Sequence, residues 1–185
     1  MKNPVLKYTL VIVILILSTS GCNEKKESIK SIIGKWTHPI ILEPNYTGFE
    51  ILEIDNGTQG VLKFDFHYEG EEEGFKYLLD FTSGVPASLS LDSKNLLLYF
   101  DISKFFFKTK PGSFKIFLTN NGDQEYKGTA KKDMERVLVD SLQNVFKNSF
   151  RAYEKIPYKF SEVSLVNDSL VCNFEDQQIW FSRIN

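Results

Sequence analysis

The chain has 185 residues, 42% of them hydrophobic, which is enough for one domain with a sizeable core. Its 22 Lys and Arg against 24 Asp and Glu give a net charge of −2. A near-neutral, slightly acidic chain is a poor nucleic-acid binder, so nucleic acid is not expected as a partner. Phe is frequent, with 16 copies, which suits strands that pack aromatic rings inside a sheet or barrel.

The first 22 residues have the three-part layout of a secretory signal peptide. Lys2 and Lys7 give a positive start, residues 10–17 are apolar throughout, and the small residues 18–21 precede Cys22. A helix over that apolar run rises only about 12 Å, well short of a hydrocarbon core of roughly 30 Å. A cleaved leader is therefore expected rather than a permanent spanning helix.

The cysteine directly after the small residues resembles the lipobox of bacterial lipoproteins. In that family the cysteine is diacylated and becomes the first residue of the mature protein. The resemblance implies a signal peptide over residues 1–21, lipid attachment at Cys22 and anchoring in the bacterial cell envelope. Because Asn23 is not Asp, the outer membrane is the expected location. An ordinary cleaved signal peptide is the alternative.

Residues 22–31 are polar and charged and are predicted to be a solvated tether between the lipid and the domain. Lipidation would consume Cys22 and leave Cys172 without a cysteine partner, so no intramolecular disulfide is expected. Cys172 lies in an apolar strand pattern, where it is predicted to be a small buried side chain rather than a reactive thiol.

After Ser31 turn signals recur every 8 to 15 residues, as in a β-meander. Residues 60–68 alternate cleanly, and their two faces are Leu62, Phe64, Phe66 and Tyr68 against Val61, Lys63, Asp65 and His67. Residues 83–86 are predicted to be a turn. Residues 104–110 and 113–119 are predicted to pair as a hairpin across Pro111-Gly112.

Apolar residues then recur at steps of three and four from Met134 to Tyr153, which predicts one amphipathic helix over about residues 133–155. We expect it to pack on the outside of the sheet. Three more strands follow, over residues 159–166, 169–174 and 178–184. Nine or ten strands in sequence predict an antiparallel meander that closes into a barrel, because closure removes the edge strands. Residues 32–185 form the predicted domain.

Gly34-Lys35-Trp36, at the start of the first strand, resembles the Gly-x-Trp that opens lipocalins. Arg183 stands in the last strand, where that family has an Arg or Lys lying across the Trp. The resemblance implies a lipocalin-like barrel whose closure is structural and involves Gly34, Trp36 and Arg183. A guanidinium over an indole contributes about 0.5–2 kcal/mol. In the alternative, Trp36 is an ordinary core aromatic and Arg183 a surface charge.

The sequence contains no catalytic constellation: it lacks a Gly-x-Ser-x-Gly elbow, a Walker-type loop and a Cys-x-x-Cys pair. His38 and His67 lack metal-ligand spacing and are predicted to be solvated. The acidic residues 69–73 are predicted to form a solvated turn rather than a calcium loop. No enzyme activity, cofactor or metal is expected, although catalysis by a pair of carboxylates stays open.

Two shorter segments carry their own hypotheses. Residues 104–110 contain three adjacent Phe between lysines, which suits either an aromatic-basic rim or, more simply, a strand covered on both sides. Ser169 lies in Asp168-Ser169-Leu170, which resembles an O-glycosylation acceptor of some Gram-negative exported proteins.

Two functions follow from this combination of features. The first is a lipid-anchored envelope lipoprotein whose barrel binds a small apolar ligand or a protein partner; an eight-stranded barrel holds about one small ligand. The second is a structural or accessory lipoprotein of an envelope complex, with a filled barrel and no ligand. The abundance of Phe favours a filled interior, and the ligand-binding residues are not identified by any motif.

Overall fold

The computed structural model describes residues 29–42, 45–121 and 124–184. The predicted signal peptide, Cys22 and most of the predicted tether lie outside these residues. A 3₁₀ helix, Ile29–Ile32, precedes the first strand. The strands of the described residues are β1 (Gly34–Leu42), β2 (Tyr46–Ile54), β3 (Gln59–Glu72), β4 (Phe75–Asp92), β5 (Asn95–Phe100), β6 (Phe106–Thr109), β7 (Lys115–Leu118), β8 (Gln124–Glu125), β9 (Tyr158–Val166), β10 (Ser169–Phe174) and β11 (Gln177–Ile184), with the helix α1 (Lys131–Arg151) between β8 and β9.

Eight of these strands close into an antiparallel barrel in the order β1, β2, β3, β4, β5, β9, β10, β11. The ring closes where β1 pairs with β11, with Trp36 opposite Arg183. The prediction of a meander that closes into a barrel, with one helix before the last three strands, is confirmed. We call the end where β1 begins and β11 ends the lower end, and the opposite end the upper end.

The hairpin of β3 and β4 is much longer than its neighbours, because β4 has 18 residues. Beyond the segment paired with β5, the same edge of β4 pairs first with β6 and then with β7, while β8 pairs with β7. The predicted hairpin between residues 104–110 and 113–119 is therefore wrong. The two segments lie end to end along β4, whose long open edge gives each of them a partner.

The predicted turn at residues 83–86 is also wrong, because these residues lie in the middle of β4. Gly84 is needed there for close packing: a Cβ at this position would lie 2.7 Å from Cζ of Phe106. Pro86 falls between the stretches of β4 that pair with β5 and β6. The Pro86 carbonyl points to the edge of β4 that faces β5 and β6, where it accepts a hydrogen bond from the Asp101 N–H. Because none of the described strands pairs with Pro86 on this edge, its missing N–H breaks no hydrogen bond of the sheet.

The helix α1 covers the upper end of the barrel, and the prediction that it packs on the outside is wrong. Its Phe146 contacts Phe66 and Phe81, and its Phe150 contacts Phe64. Phe64 and Phe66 lie on the face of β3 that also carries Leu62, which is fully buried in the barrel core. The chain leaves β5 and re-enters β9 at the upper end, so the helix between them lies over the inward face.

Candidate functional site

The lower end of the barrel is closed by the residues that carry the lipocalin resemblance. Trp36 is fully buried, and its indole Nε1 donates a hydrogen bond to the Ile32 carbonyl at 2.8 Å. The Arg183 guanidinium carbon lies 4.7 Å from the centroid of the Trp36 ring, and Nη2 donates to the Ile33 carbonyl at 3.4 Å. Gly34 has φ of 145°, and a Cβ there would lie 3.8 Å from both side chains. The structure thus brings Gly34, Trp36 and Arg183 together in a closely packed arrangement.

The upper end differs, because an apolar pocket of about 230 Å³ lies between α1 and the barrel wall. Its lining comes from four strands, the helix and the turn that follows the helix: Leu42, Leu62, Phe64, Phe66, Phe146, Ser149, Phe150, Tyr153, Tyr158 and Phe174. The volume is below the roughly 300–1,000 Å³ of pockets for drug-sized ligands, so the pocket suits a small ligand.

A carboxyl group is buried in the wall of the same barrel. Glu50 lies on the inward face of β2, in phase with the core residues Leu52 and Ile54, and is 4% exposed. Its Oε1 accepts a hydrogen bond of 3.5 Å from the Tyr158 hydroxyl. Burial raises the pKa of Glu50 from its ordinary value of 4.5 to about 7, and the Tyr158 hydrogen bond opposes this rise. Glu50 therefore changes charge near neutral pH.

The sulfur of Cys172 is the third titratable group of this interior. Cys172 is 1% exposed and lies in the barrel core, where the strand pattern predicted a buried side chain. Burial, and next the charge of Glu50, raise the pKa of its thiol to about 12. Because the thiolate is the reactive form, this cysteine is chemically inert at neutral pH.

Sequence analysis did not single out Glu50 or Tyr158. The signal was present in β2, since alternation puts Glu50 on the apolar face with Leu52 and Ile54. An acid in that phase is the anomaly that marks a candidate site, because charged residues are almost never fully buried without a partner.

The two histidines do not converge. His67 is exposed, as predicted, whereas His38 is half-buried on the inward face of β1, opposite Glu50 of β2 and with its ring centroid 5.6 Å from that of Phe181, so the prediction that it is solvated is wrong. His67 Nδ1 is 2.7 Å from Oδ1 of Asp80, and His38 Nδ1 is 3.1 Å from the Trp180 carbonyl. The prediction that residues 69–73 form a turn is wrong, because residues 69–72 end β3 and pair with β4, and only Glu73 lies in the turn. Glu69 forms an ion pair with Lys76 of β4. Within the described residues, no group of three or more His, Cys, Asp or Glu side chains is arranged to hold a metal ion.

The aromatic-basic segment 104–110 supplies internal packing. Phe107 stacks on Phe81 with ring centroids 4.7 Å apart, and Phe105 contacts Phe150 of the helix. Phe106 lies on the other face, packed on Gly84. Residues 106–109 thus form a strand that is covered on the Phe107 face, whereas Phe106 on the other face is half-buried, with Nζ of Lys108 5.7 Å from its ring centroid. Ser169, the candidate acceptor for glycosylation, is the partly exposed first residue of β10.

A second, wider groove of about 710 Å³ lies outside the barrel, between the first turns of α1 and the end of the β3–β4 hairpin. It is open to solvent and includes Tyr68, Tyr77, Glu72 and Asp133. None of the α-helices in the described part of the chain is long and apolar enough to cross a membrane.

Comparison with known proteins gives no match: no family model, no curated protein and no solved structure is significantly similar to the chain. Its function must therefore be inferred from the sequence motifs and the barrel.

Proposed function

We propose that the protein is a lipid-anchored lipoprotein of the bacterial cell envelope whose lipocalin-like barrel binds a small apolar ligand in the upper pocket. Attachment is through Cys22, and the outer membrane is the proposed location. The observation that carries ligand binding is the aromatic pocket of about 230 Å³ under α1. The lipocalin likeness is supported by the Trp36–Arg183 stacking at the closed lower end.

The contrast between the two halves of the interior supports binding at the upper end alone. The lower half is filled by fully buried side chains, among them Trp36, Leu52 and Phe181. The upper pocket is lined by rings that meet at centroid distances of 4.6–6 Å without filling the space between helix and wall, as between Tyr158 and Phe174 at 4.6 Å. Apolar walls around a small void favour an apolar guest.

Binding can be tested by blocking the pocket from its helical side. Ser149 lines the pocket and is exposed, so Ser149→Trp places an indole over the opening without changing the core. Asn144→Trp is the matched control, since Asn144 is exposed on the same helix and does not line the pocket. Titration with 2-phenylethanol by calorimetry should show binding to the wild type and Asn144→Trp and none to Ser149→Trp. Equal binding to all three proteins would place the ligand elsewhere.

The lipid anchor has its own test. Cells that express the protein are supplied with labelled palmitate, and the wild type should incorporate label while Cys22→Ser should not and should accumulate as precursor. Label on the Cys22→Ser protein would contradict attachment at this residue. Normal processing of Cys22→Ser without label on either protein would indicate an ordinary signal peptide.

A second candidate function is an accessory lipoprotein of an envelope complex that holds no ligand. The filled lower half of the barrel favours it, because the continuous core of the described residues needs no guest for its stability. Native purification followed by mass spectrometry separates the two functions: a co-purifying small molecule supports ligand binding, whereas a stoichiometric envelope protein supports the accessory role.

A further inference from the structure

Glu50 is the residue of the described barrel interior whose burial is expected to lower the stability of the fold most. It is 4% exposed, and its inward neighbours on β2 are apolar. Burying a carboxylate without a compensating partner is strongly unfavourable, whereas leucine at this position would add to the core. Because Glu50 lowers the stability of the core, packing does not explain its presence there. Buried acids of this kind concentrate at functional sites.

The described residues around Glu50 provide too few hydrogen-bond donors and no ion-pair partner for its carboxyl group. Tyr158 donates the hydrogen bond to Oε1, and its length of 3.5 Å is at the outer limit for such a bond. His38 is the cross-strand partner of Glu50 on β1, but its Nδ1 is 3.1 Å from the Trp180 carbonyl, and none of the ion pairs among the described residues includes Glu50. The negative charge of the ionised carboxyl is therefore left without a cation.

Tyr158 connects the carboxyl to the pocket. The residue lines the upper pocket, while its hydroxyl contacts Glu50. A guest in the pocket therefore lies against the side chain that contacts the acid. The walls around it are the faces and edges of Phe64, Phe150 and Phe174, and aromatic faces attract organic cations.

We propose that the natural ligand is a small amphipathic amine, whose apolar part fills the aromatic pocket and whose ammonium group pairs with Glu50 beside the Tyr158 hydroxyl. This inference rests on the proposed function, since it specifies the ligand of the same pocket. The ammonium group supplies the missing positive charge and donates the hydrogen bonds that the carboxyl lacks. The aromatic wall shields the pair from water, which strengthens the attraction between the two charges.

Pairing with a cation requires the ionised form of Glu50. The titratable groups around it are His38, its cross-strand partner on β1, with Tyr158 of β9 and Cys172 of β10. Tyr153, which follows α1, lies next to Tyr158 at 4.9 Å between ring centroids. Burial raises the pKa of Tyr158 above its ordinary value and that of Cys172 to about 12, so both are neutral between pH 6 and pH 8. Because the pKa of Glu50 is about 7, its charge changes over that range, and the Glu50→Gln variant separates this change from any contribution of His38.

The test compares three probes of nearly equal shape: 2-phenylethylamine, 2-phenylethanol and phenylacetate. At pH 8 the wild type should bind the amine about tenfold to a hundredfold more tightly than the alcohol, as expected for hydrogen bonds to a charged group. It should bind phenylacetate more weakly than the alcohol, because the two carboxylates repel. Lowering the pH to 6 should weaken amine binding about tenfold, following the ionised fraction of Glu50.

Two variants separate the role of the carboxyl from that of the pocket. Glu50→Gln keeps the shape and should bind the alcohol as the wild type does, but without a preference for the amine and without pH dependence. Glu53→Gln is the matched control, because Glu53 lies on the same strand and pairs with Lys35 and Lys63 outside the core. It should retain the full preference for the amine.

The outcomes distinguish the two proposals. If the wild type binds the alcohol and the amine equally, or if Glu50→Gln keeps the preference for the amine, the pocket binds apolar ligands but the assignment of an amine is wrong. If none of the three probes binds at either pH, the pocket is not a ligand site and the proposed function fails with it. A melting curve of Glu50→Gln shows that the variant is folded, so a loss of amine binding reports recognition.

Discussion

The two ends of this barrel are closed in different ways. At the lower end, Trp36 and Arg183 come from the first and last strands, and their polar atoms donate to backbone carbonyls. At the upper end, α1 lies across the inward face of β3 and β4 and is held by aromatic contacts. The lower end is filled by buried side chains such as Trp36, whereas the upper end holds a pocket and a buried acid. Hydrogen bonds and stacking fix the positions of the side chains that close the lower end. The packing of α1 on the upper end can leave space for a ligand.

The largest effect is expected from Phe146→Asp, which attacks the closure of the upper end. Phe146 is 8% exposed and contacts the rings of Tyr46, Phe66 and Phe81. Replacing it removes those contacts and buries an unpaired charge, which should lower the free energy of unfolding by about 4 kcal/mol or more. Denaturant titration would measure the loss.

The matched control is Val145→Asp, because Val145 is the next residue on α1 and is 52% exposed. This variant should unfold within about 0.5 kcal/mol of the wild type. Equal midpoints for the wild type and Phe146→Asp would mean that α1 does not depend on this packing, and the upper end would then be open.

The second prediction concerns the pH dependence of the free energy of unfolding that arises from Glu50. The carboxyl has a pKa of about 7 in the folded protein against 4.5 when unfolded, so the folded state binds its proton more tightly. The tighter binding of this proton stabilises the folded protein fully below pH 4.5, and this stabilisation is lost as the pH rises through about 7. The difference between the two pKa values corresponds to about 3 kcal/mol.

Glu50→Gln cannot ionise and should remove this dependence. At pH 8 we expect the variant to be more stable than the wild type by up to about 3 kcal/mol, with a smaller difference at pH 4.5. Urea unfolding at a series of pH values from 4.5 to 8 gives the measurement. Parallel pH profiles for the two proteins would show that Glu50 does not carry a raised pKa in the folded state.

A third prediction concerns a single hydroxyl in the wall of β4. Ser83 is fully buried, and its Oγ has no hydrogen-bond partner among the described residues. An unsatisfied buried hydroxyl costs more than it contributes, so Ser83→Ala should raise the free energy of unfolding by about 1 kcal/mol. Ser90→Ala on the same strand is the control, since Ser90 is exposed and should change little. A loss of stability in Ser83→Ala would reveal a bound water or ligand atom at this hydroxyl.

The two ends also differed in how far the sequence could predict them. The lower end follows from local motifs, because Gly34-Lys35-Trp36 and Arg183 stand at the ends of the domain and strand closure brings them together. The alternation in β3 correctly separated its inward residues from its outward ones. These features can be predicted because successive side chains of a strand point to opposite faces of the sheet.

The upper end depends on relations that a single sequence does not contain. The pairing of β6 and β7 with β4 was missed because a Pro-Gly between two apolar segments is locally a hairpin signal, and the competing edge of β4 is distant in sequence. The apolar stripe predicted α1 but not the surface that it covers. The alternation in β2 already places Glu50 in phase with Leu52 and Ile54, but its contact with Tyr158, 108 residues away, appears only once the barrel is closed.

The smallest effect is expected at the lower end, from Arg183→Ala. The side chain of Arg183 is exposed, although its guanidinium stacks on Trp36 at 4.7 Å. At an exposed site such a contact contributes about 0.5–1 kcal/mol, and water can replace the donor at the Ile33 carbonyl. Arg183→Lys should recover part of the loss, because an ammonium group lacks the planar surface that stacks on indole. The hydrogen bond from Trp36 to the Ile32 carbonyl does not involve Arg183, so the lower end should stay closed and ligand binding at the upper end should be unchanged in both variants. A loss of several kcal/mol, or weaker binding in the upper pocket, would show that the two ends are coupled through the strands between them.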